Sequence, residues 1–237
     1  MTFSTLKEPM WRQIILFICI FFTILGCVII FQNRMQSELS SIVSLRRNEL
    51  ERIEMSYLIH IDLQKVQSLF QNMSTCRTEY ELDYFEKQIQ TTIAKIQELI
   101  TIIGNGGTAT YTYKVNFGNE EEIQRSFTYR NERQSELSLD TFELSSKVKI
   151  LLQNESRFKE LIKDKSTLTD PTLQPQIDQK VFFFYKGIDP YFQRIFENSY
   201  RIYFNSQKEM QRFHTLVDQT TKKIPFDSGF FSPWPAY

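Results

Sequence analysis

Eighteen consecutive residues without a charge decide the fold: Ile14-Ile15-Leu16-Phe17-Ile18-Cys19-Ile20-Phe21-Phe22-Thr23-Ile24-Leu25-Gly26-Cys27-Val28-Ile29-Ile30-Phe31. Arg12 and Arg34 lie just outside this stretch. A bilayer core of about 30 Å needs roughly 20 mostly apolar residues at about 1.5 Å of helical rise each. The sequence therefore predicts one transmembrane helix over residues 14–33, after a short N-terminal tail of residues 1–13.

Two kinds of cleaved signal compete with a retained transmembrane helix. A signal peptide usually has an apolar centre of about 7–15 residues and ends at a small-residue cleavage site, whereas this run is longer and ends in Val28-Ile29-Ile30-Phe31. Ile24-Leu25-Gly26-Cys27 is similar to a bacterial lipobox, but a lipoprotein turns polar directly after its cysteine and this chain stays apolar. The sequence favours the uncleaved helix.

The basic residues beside the stretch bear on its orientation. Lys7 and Arg12 precede it, and several arginines follow it between Arg34 and Arg52. The count of Lys and Arg alone favours a body on the cytoplasmic side. A short basic tail commonly stays inside while a long downstream domain is translocated, so we expect a single-pass membrane protein with its body on the non-cytoplasmic side.

The composition separates classes of protein. Lys and Arg together number 28, as do Asp and Glu, so there is no overall positive field to attract nucleic acid. Glycine and proline occur seven times each, against 21 phenylalanines and 11 tyrosines, which is typical of long helices that pack on one another. We expect a mainly α protein in which the transmembrane helix is followed by an antiparallel helical bundle over residues 34–224, with one β-hairpin insertion.

The body is predicted to begin with a helix that continues from the apolar stretch to about Met73. Apolar residues recur there at mixed spacings of three, four and seven, and they are Leu39, Val43, Leu50, Ile53, Tyr57 and Ile61. The repeat is imperfect for an isolated two-stranded coiled coil. We therefore expect this stripe to pack against other helices of the same body.

The clearest helical pattern follows a helix start signal. Thr78-Glu79-Tyr80-Glu81 has the form of a capping box. The next apolar residues recur at spacings of three and four, which places them on one helical face, and they are Leu82, Phe85, Ile89, Ile93, Ile96, Ile100 and Ile103. Gly104 is the expected left-handed C-cap.

Residues 110–130 change from helical spacing to alternation. In the first run Tyr111, Tyr113, Val115 and Phe117 alternate with polar residues, as in a half-buried strand. A turn at residues 118–121 and a second alternating run over 123–130 complete a predicted β-hairpin. A long helix from Glu120 onward is the alternative for residues 119–134, and the β-rich run over 126–129 favours the hairpin.

Helix is expected again over residues 135–163. Its predicted inward side chains are Leu137, Leu144, Val148, Leu151, Leu152, Phe158 and Ile162. A polar linker over residues 164–176 contains two prolines and separates this helix from the next apolar segment.

The last helical region is predicted as two pieces. A short helix over residues 177–186 is interrupted at Gly187. Asp189 as N-cap and Pro190 at the first helical position then predict the start of a new helix, which ends before Pro225. Residues 225–237 form an aromatic, proline-containing C-terminal tail.

No catalytic, cofactor or metal site is predicted. His60 and His214 lie on different predicted helices, and neither has a second ligand at a suitable spacing. The glycine-rich segment 104–108 follows a helix and lacks the Lys-Ser/Thr pair of a phosphate loop. Cys76 has no local signature of an activated thiol. We expect a protein that is not an enzyme and binds no cofactor.

Aromatic side chains are the predicted partner-binding residues. Phe182-Phe183-Phe184 point in several directions from one helix, so burying all three rings needs neighbours on more than one side. We expect burial within the body, with a subunit contact or membrane insertion as the alternatives. The tail either wraps the bundle or docks its aromatic rings on a partner. The candidate residues are Phe183, Phe226, Phe230, Phe231, Trp234 and Tyr237.

These features predict a non-catalytic, single-pass membrane-anchored scaffold or accessory subunit of a membrane protein complex. It would contact the lipid bilayer through residues 14–33 and act through other protein subunits or self-association, without nucleic acid. The alternative is a receptor-like sensory helical bundle that binds a small ligand.

Overall fold

The computed structural model describes residues 7–76, 78–117, 119–131, 137–167 and 172–222. These residues form four helices and a two-stranded antiparallel sheet. In chain order the elements are α1 (Lys7–Ser74), α2 (Glu79–Asn105), β1 (Gly107–Phe117), β2 (Asn119–Tyr129), α3 (Leu137–Thr167) and α4 (Gln174–Lys222). The prediction of a mainly helical protein with one β-hairpin is confirmed.

The described residues divide into two compact units, one of residues 7–46 and 213–222 and one within Arg47–Arg212. The smaller unit contains the apolar part of α1, where large side chains such as Phe17 and Ile30 are exposed. Among the described residues, this is the one helix long and apolar enough to cross a membrane, and no residue of its most apolar window is buried.

The larger unit is an antiparallel helical bundle. Wherever two of its helices touch, residues later in one helix contact residues earlier in the other, so the two helices run in opposite directions. Such pairs are Arg52–Ser206 and Gln67–Asp189 between α1 and α4, Glu86–Lys159 and Glu79–Lys163 between α2 and α3, and Lys147–Tyr191 and Asp140–Arg201 between α3 and α4.

The bundle core combines aliphatic and aromatic side chains from all four helices. Phe70 of α1 is fully buried, and its ring centroid lies 5.9 Å from that of Phe158 on α3 and 5.6 Å from that of Phe192 on α4. Offset and edge-to-face ring pairs at such distances add about 0.5–1.5 kcal/mol beyond the area they bury. This aromatic cluster joins three helices at one level of the bundle.

The predicted stripe of α2 is confirmed. All of its aliphatic members are buried, and Phe85 is half-buried against the core. The capping box is present as well, since the amide of Glu81 donates to the Thr78 hydroxyl at 3.2 Å and the Thr78 amide donates to the Glu81 carboxylate at 3.4 Å.

The predicted C-cap of α2 is wrong by two residues. The helix continues through Gly104 to Asn105, and Gly106 is the cap, where φ is +80° and the amide donates to the Ile102 carbonyl at 2.8 Å. A Cβ atom at Gly106 would lie 3.2 Å from the carbonyl oxygen of Tyr129. Both the positive φ and the tight space favour glycine at this position.

The hairpin prediction is confirmed, and the alternative of one long helix from Glu120 is wrong. The register pairs Gly107 with Tyr129 and Phe117 with Asn119. Residues 119–121 belong to β2, so the strands extend closer to the turn than predicted, and Gly118 itself lies outside the described residues.

The prediction for the stripe of α1 is wrong. Of its six residues, Ile53 is half-buried, whereas Leu39, Val43, Leu50, Tyr57 and Ile61 are exposed. The residues of α1 that pack into the core are Met55, Leu58, Ile59, Leu63, Val66, Phe70 and Met73. Four buried polar residues, Glu49, Arg52, Ser56 and Asp62, lie on the same side of α1 and conceal this second stripe in the sequence.

Helix α3 agrees with its prediction over most of its length. Leu144, Val148, Leu151, Phe158 and Ile162 are buried and Leu152 is half-buried, whereas the side chain of Leu137 lies outside the described residues. The polar linker is shorter than predicted because α3 reaches Thr167 and α4 already begins at Gln174.

Helix α4 is continuous, so the prediction of two helices separated at Gly187 is wrong. Pro190 lies inside the helix, and Asp189 is not an N-cap but accepts a hydrogen bond from the Gln67 amide at 3.1 Å. The buried stripe continues across this region through Ile188 and Phe192. Burial of that stripe outweighs the roughly 3 kcal/mol that an interior proline costs a helix.

Candidate functional site

The predicted partner-binding residues fall into two groups. Phe183 lies on α4 within the described residues, and Phe226, Phe230, Phe231, Trp234 and Tyr237 lie outside them. The candidate site is therefore built around Phe183.

The aromatic run on α4 is only partly buried. Phe184 is half-buried and stacks on Phe158 with 4.9 Å between ring centroids. Phe182 and Phe183 remain 59% and 58% exposed, with their ring centroids 5.8 Å apart. The expectation that the body buries all three rings is wrong, because one helix face cannot direct three consecutive side chains to the same core.

A groove between α3 and α4 lies beside the exposed Phe183 ring. It has a volume of about 300 Å³ and is lined by Asn154, Phe183, Phe184, Gly187, Ile188 and Tyr191, which we call the α3/α4 groove. A Cβ atom at Gly187 would meet no other atom within 4 Å, so this glycine leaves open space. Its size lies at the lower limit for small-molecule pockets and is ample for one large apolar side chain.

The polar groups of the α3/α4 groove are the amide of Asn154 and the hydroxyl of Tyr191. The Tyr191 hydroxyl donates to the Lys147 carbonyl at 2.7 Å. Burial raises the pKa of Tyr191 to about 12, so the hydroxyl stays protonated near neutral pH. These lining residues include no carboxylate, imidazole or thiol, so they suit recognition of an apolar group rather than proton transfer.

The base of the hairpin is docked on the bundle. Phe127 and Tyr129 are buried, and the backbone of Arg130 exchanges two hydrogen bonds with the side chain of Asn48, at 2.7 and 2.8 Å. Arg125 forms an ion pair with Glu54. The base of the hairpin is thus positioned on α1 by its backbone, its charges and its buried rings.

The outer part of the hairpin differs from its base. Ile123, which pairs with Tyr113 further along the ladder, is exposed. The opposite face carries hydroxyl groups, with 3.3 Å between Thr108 and Thr128 and the same distance between Thr110 and Ser126. The hairpin therefore contributes an exposed apolar side chain on the same face that buries Phe127 at its base.

A buried carboxyl group connects the hairpin to α1. Asp62 is almost fully buried and accepts a hydrogen bond from the Tyr111 hydroxyl at 2.9 Å. Burial raises the pKa of Asp62, and the hydrogen bond from Tyr111 opposes this rise. The Lys95 ammonium lies 5.5 Å from the centre of the Tyr111 ring. The cluster positions β1 on the bundle.

A second buried carboxyl group lies between α2 and α3. Glu155 is fully buried, and its pKa is raised first by burial and second by the nearby carboxylate of Glu86, while a hydrogen bond from Gln90 lowers it. Lys159 contacts Glu86 at 2.6 Å and Asp83 at 2.9 Å, and these hydrogen bonds raise the pKa of the lysine. The position of Glu155 between two helices indicates a structural role.

A buried ion pair lies between α1 and α4. Arg52 is 1% exposed, and its guanidinium contacts the Glu49 carboxylate at 2.9 Å. The same guanidinium donates from Nε to the Ser206 hydroxyl at 2.5 Å, and that hydroxyl donates to the Ile202 carbonyl at 2.8 Å. This network determines where α4 lies along α1.

The two histidines lie in different surroundings. The ring of His60 lies 4.2 Å from that of Tyr200 and 5.3 Å from that of Phe196, and burial lowers the pKa of His60. His214 is exposed. Within the ranges that the structure describes, no group of three or more His, Cys, Asp or Glu side chains is arranged to bind a metal ion.

No pattern in the sequence indicates the α3/α4 groove as such. Phe183 was a candidate from its aromatic neighbours, but Gly187 was interpreted as a helix break, and its open space becomes visible only when α4 is continuous. Comparison of the chain with protein families, curated proteins and solved structures found no match. A function is therefore argued from the residues of this chain alone.

Proposed function

We propose that the chain is a non-catalytic, single-pass membrane-anchored scaffold or accessory subunit of a membrane protein complex. The observation that carries this proposal is the uncovered pair Phe182 and Phe183 beside the α3/α4 groove. We infer that a protein partner covers these rings and inserts an apolar side chain at Gly187.

The membrane anchor is supported by the exposure of the apolar stretch. Large apolar side chains over residues 14–31, such as Phe17 and Ile30, are exposed on all sides of the helix. Leaving one such side chain in water costs about 1.5–3 kcal/mol relative to burial. Lipid would relieve that cost for all of them together, so we propose that residues 14–33 lie in the bilayer. The short basic tail before them supports a body on the non-cytoplasmic side.

The expected contact at the α3/α4 groove is energetically useful. Phe182 and Phe183 together expose about 230 Å² if each full side chain presents roughly 200 Å². At about 25 cal/mol per Å², covering them contributes roughly 6 kcal/mol before the costs of association. Central aromatic anchors of this kind carry much of the affinity in protein interfaces.

Native mass spectrometry of the full-length protein, extracted from its own membrane in mild detergent, tests the proposal. We expect a stoichiometric companion protein that is lost with Phe183→Ser and with Gly187→Leu. The second variant fills the groove with a residue that favours helix more than glycine does, so its loss of the companion does not reflect unfolding. Phe142→Ser is the matched control, since Phe142 is exposed on α3 away from the groove and should keep the companion.

Two results would contradict the proposal. The first is a wild-type protein with no companion, and the second is a companion retained in both groove variants. The anchor is tested separately by alkaline carbonate extraction, after which an anchored chain stays in the membrane pellet.

A second candidate function is a sensory bundle that binds a small ligand, for which the α3/α4 groove is the site to test. A ligand that binds the native state raises its stability by RT ln(1+[L]/Kd). A small molecule that raises the melting temperature of the wild type but not of Gly187→Leu would favour this function over the scaffold.

A further inference from the structure

Helix α1 has a second apolar face in the larger unit, away from the core. Leu50, Tyr57 and Ile61 on this face are 49%, 54% and 38% exposed. On α4, Tyr200 and Phe204 are 45% and 60% exposed. We call these five residues the outer face.

The outer face is continuous across the two helices. His60, which follows Tyr57 by three residues on α1, places its ring 4.2 Å from that of Tyr200 on α4. The rings of Tyr200 and Phe204 stack at 6.1 Å. An apolar surface on antiparallel neighbours, bridged by a half-buried ring, presents one patch rather than scattered side chains.

We propose that a second copy of this chain docks on the outer face, so that the protein is a homodimer. The five side chains together expose about 500 Å² when full areas of roughly 150–250 Å² are taken for each. A standard interface buries about 800 Å² per partner, of which about 56–65% is apolar. The outer face therefore supplies the apolar part of one side of such an interface.

The spacing of the face on α1 also fits a partner helix of the same kind. Leu50, Tyr57 and Ile61 are separated by seven and four residues, the intervals that bring side chains back to one seam between paired helices. A contact between two equal copies needs only one surface, because a two-fold axis places the same patch on both sides.

The proposed membrane anchor favours this symmetry, and to that extent the dimer rests on the proposed function. Copies inserted into one bilayer with the same topology can be related by a two-fold axis along the membrane normal. The same face of each copy then meets its equivalent. The α3/α4 groove uses other residues, so the dimer leaves it open for the companion proposed above.

Cysteine cross-linking in the native membrane tests which surface meets the second copy. The starting chain carries Cys19→Ser and Cys27→Ser, which removes the two exposed thiols of α1. We expect Leu50→Cys and Tyr57→Cys to give disulfide-linked dimers with copper phenanthroline as oxidant. Gln153→Cys, at an exposed position on α3 outside the outer face, is the control and should give no disulfide-linked dimer.

Native mass spectrometry provides the second measurement, because cross-linking yield depends on local geometry. We expect the full-length wild type to be dimeric. The dimer fraction of the double variant Leu50→Glu/Tyr57→Glu should be at least tenfold lower than that of the wild type. Both positions are exposed, so the variant should keep the helical circular dichroism spectrum of the wild type even though loss of the dimer lowers its melting temperature. The matched control Phe142→Glu/Ile150→Glu changes two exposed apolar residues of α3 and should stay dimeric.

Any of three results would overturn the proposal. The wild type could be monomeric, the dimer could persist in Leu50→Glu/Tyr57→Glu, or the Leu50→Cys chain could cross-link only to a different protein. Carbonate extraction separates this failure from failure of the anchor. A chain that stays in the pellet but is monomeric refutes the dimer alone. A dimer that leaves the pellet refutes the anchor alone.

Discussion

Replacing Arg52 with alanine should destabilise the bundle more than any change at its surface. Arg52 is 1% exposed and contacts Glu49 at 2.9 Å and Ser206 at 2.5 Å. The substitution removes the guanidinium partner of a carboxylate that is itself 6% exposed. It also removes the hydrogen bond that joins α1 to α4 across 154 residues of sequence.

The expected loss follows from these contacts. Removing one partner of a buried ion pair costs about 3–5 kcal/mol. For a domain of this size each kcal/mol lowers the melting temperature by about 2–4 °C, so Arg52→Ala should melt about 10 °C below the wild type. The double variant Arg52→Met/Glu49→Gln removes both charges and should recover most of this loss, because a neutral, well-packed replacement avoids the cost of desolvating them.

Thermal unfolding of the detergent-solubilised full-length protein, followed by circular dichroism, measures the difference. Arg47→Ala is the matched control, since Arg47 is an exposed arginine on the same helix and its loss should change stability by less than about 0.5 kcal/mol. The reasoning would be refuted if Arg52→Ala melted within 2 °C of Arg47→Ala. It would also be refuted if the double variant were as unstable as Arg52→Ala.

Two further changes test the interior of the bundle. Because burial raises the folded-state pKa of Glu155, the folded state binds more protons than the unfolded state in the pH range between the unfolded and folded pKa values, and the stability of the wild type falls as pH rises through that range. Glu155→Gln should remove this part of the pH dependence and raise the urea midpoint at pH 7.5, and equal pH profiles of the two proteins would contradict the assignment. Pro190→Ala restores an amide donor inside α4 and should raise stability by about 1–3 kcal/mol in the same urea assay. Pro175→Ala, in the first turn of α4, should give no such gain, because the amide at that position has no helical partner; equal effects of the two substitutions would refute the account of Pro190.

The parts of the fold that were predictable from sequence are those in which one local signal is sufficient. The stripe of α2 has regular spacing and no polar interruption, and the capping box at Thr78 marks its start, so both were found. The hairpin was found because alternation over β1 and β2 differs in period from the helices around it. An element is therefore predictable from sequence when the side chains that face the core are all apolar and recur at one regular spacing.

The parts that were not predictable depend on tertiary contacts. Two apolar stripes coexist on α1, and the predicted one is largely exposed. The other stripe is buried, and it is hard to recognise in the sequence because the polar residues Arg52 and Asp62 lie on the same face. Asp62 is hydrogen-bonded to Tyr111 and Arg52 to Ser206, both far along the chain, and Arg52 also pairs with its neighbour Glu49. No pattern local to α1 reports the two distant partners.

The same limit applies to the candidate site. Gly187 and Pro190 are helix-breaking residues by propensity, so the sequence predicted an interruption of α4. The buried residues Ile188 and Phe192 instead continue the helix through this region. A groove lined by a helical glycine could not be anticipated while the helix was expected to end there. Phe183 was selected for its ring alone, and the space beside it depends on that continuity.

The contact between Arg52 and Ser206 also has a consequence for biosynthesis. A ribosome adds about 5–20 residues per second, so the 154 residues that separate the partners take about 8–30 s to make. Throughout that interval the core face of α1 has already been made, while the helix that covers it has not. The bundle therefore cannot close until α4 has been synthesised, and until then the part of α1 that α4 covers stays open to water.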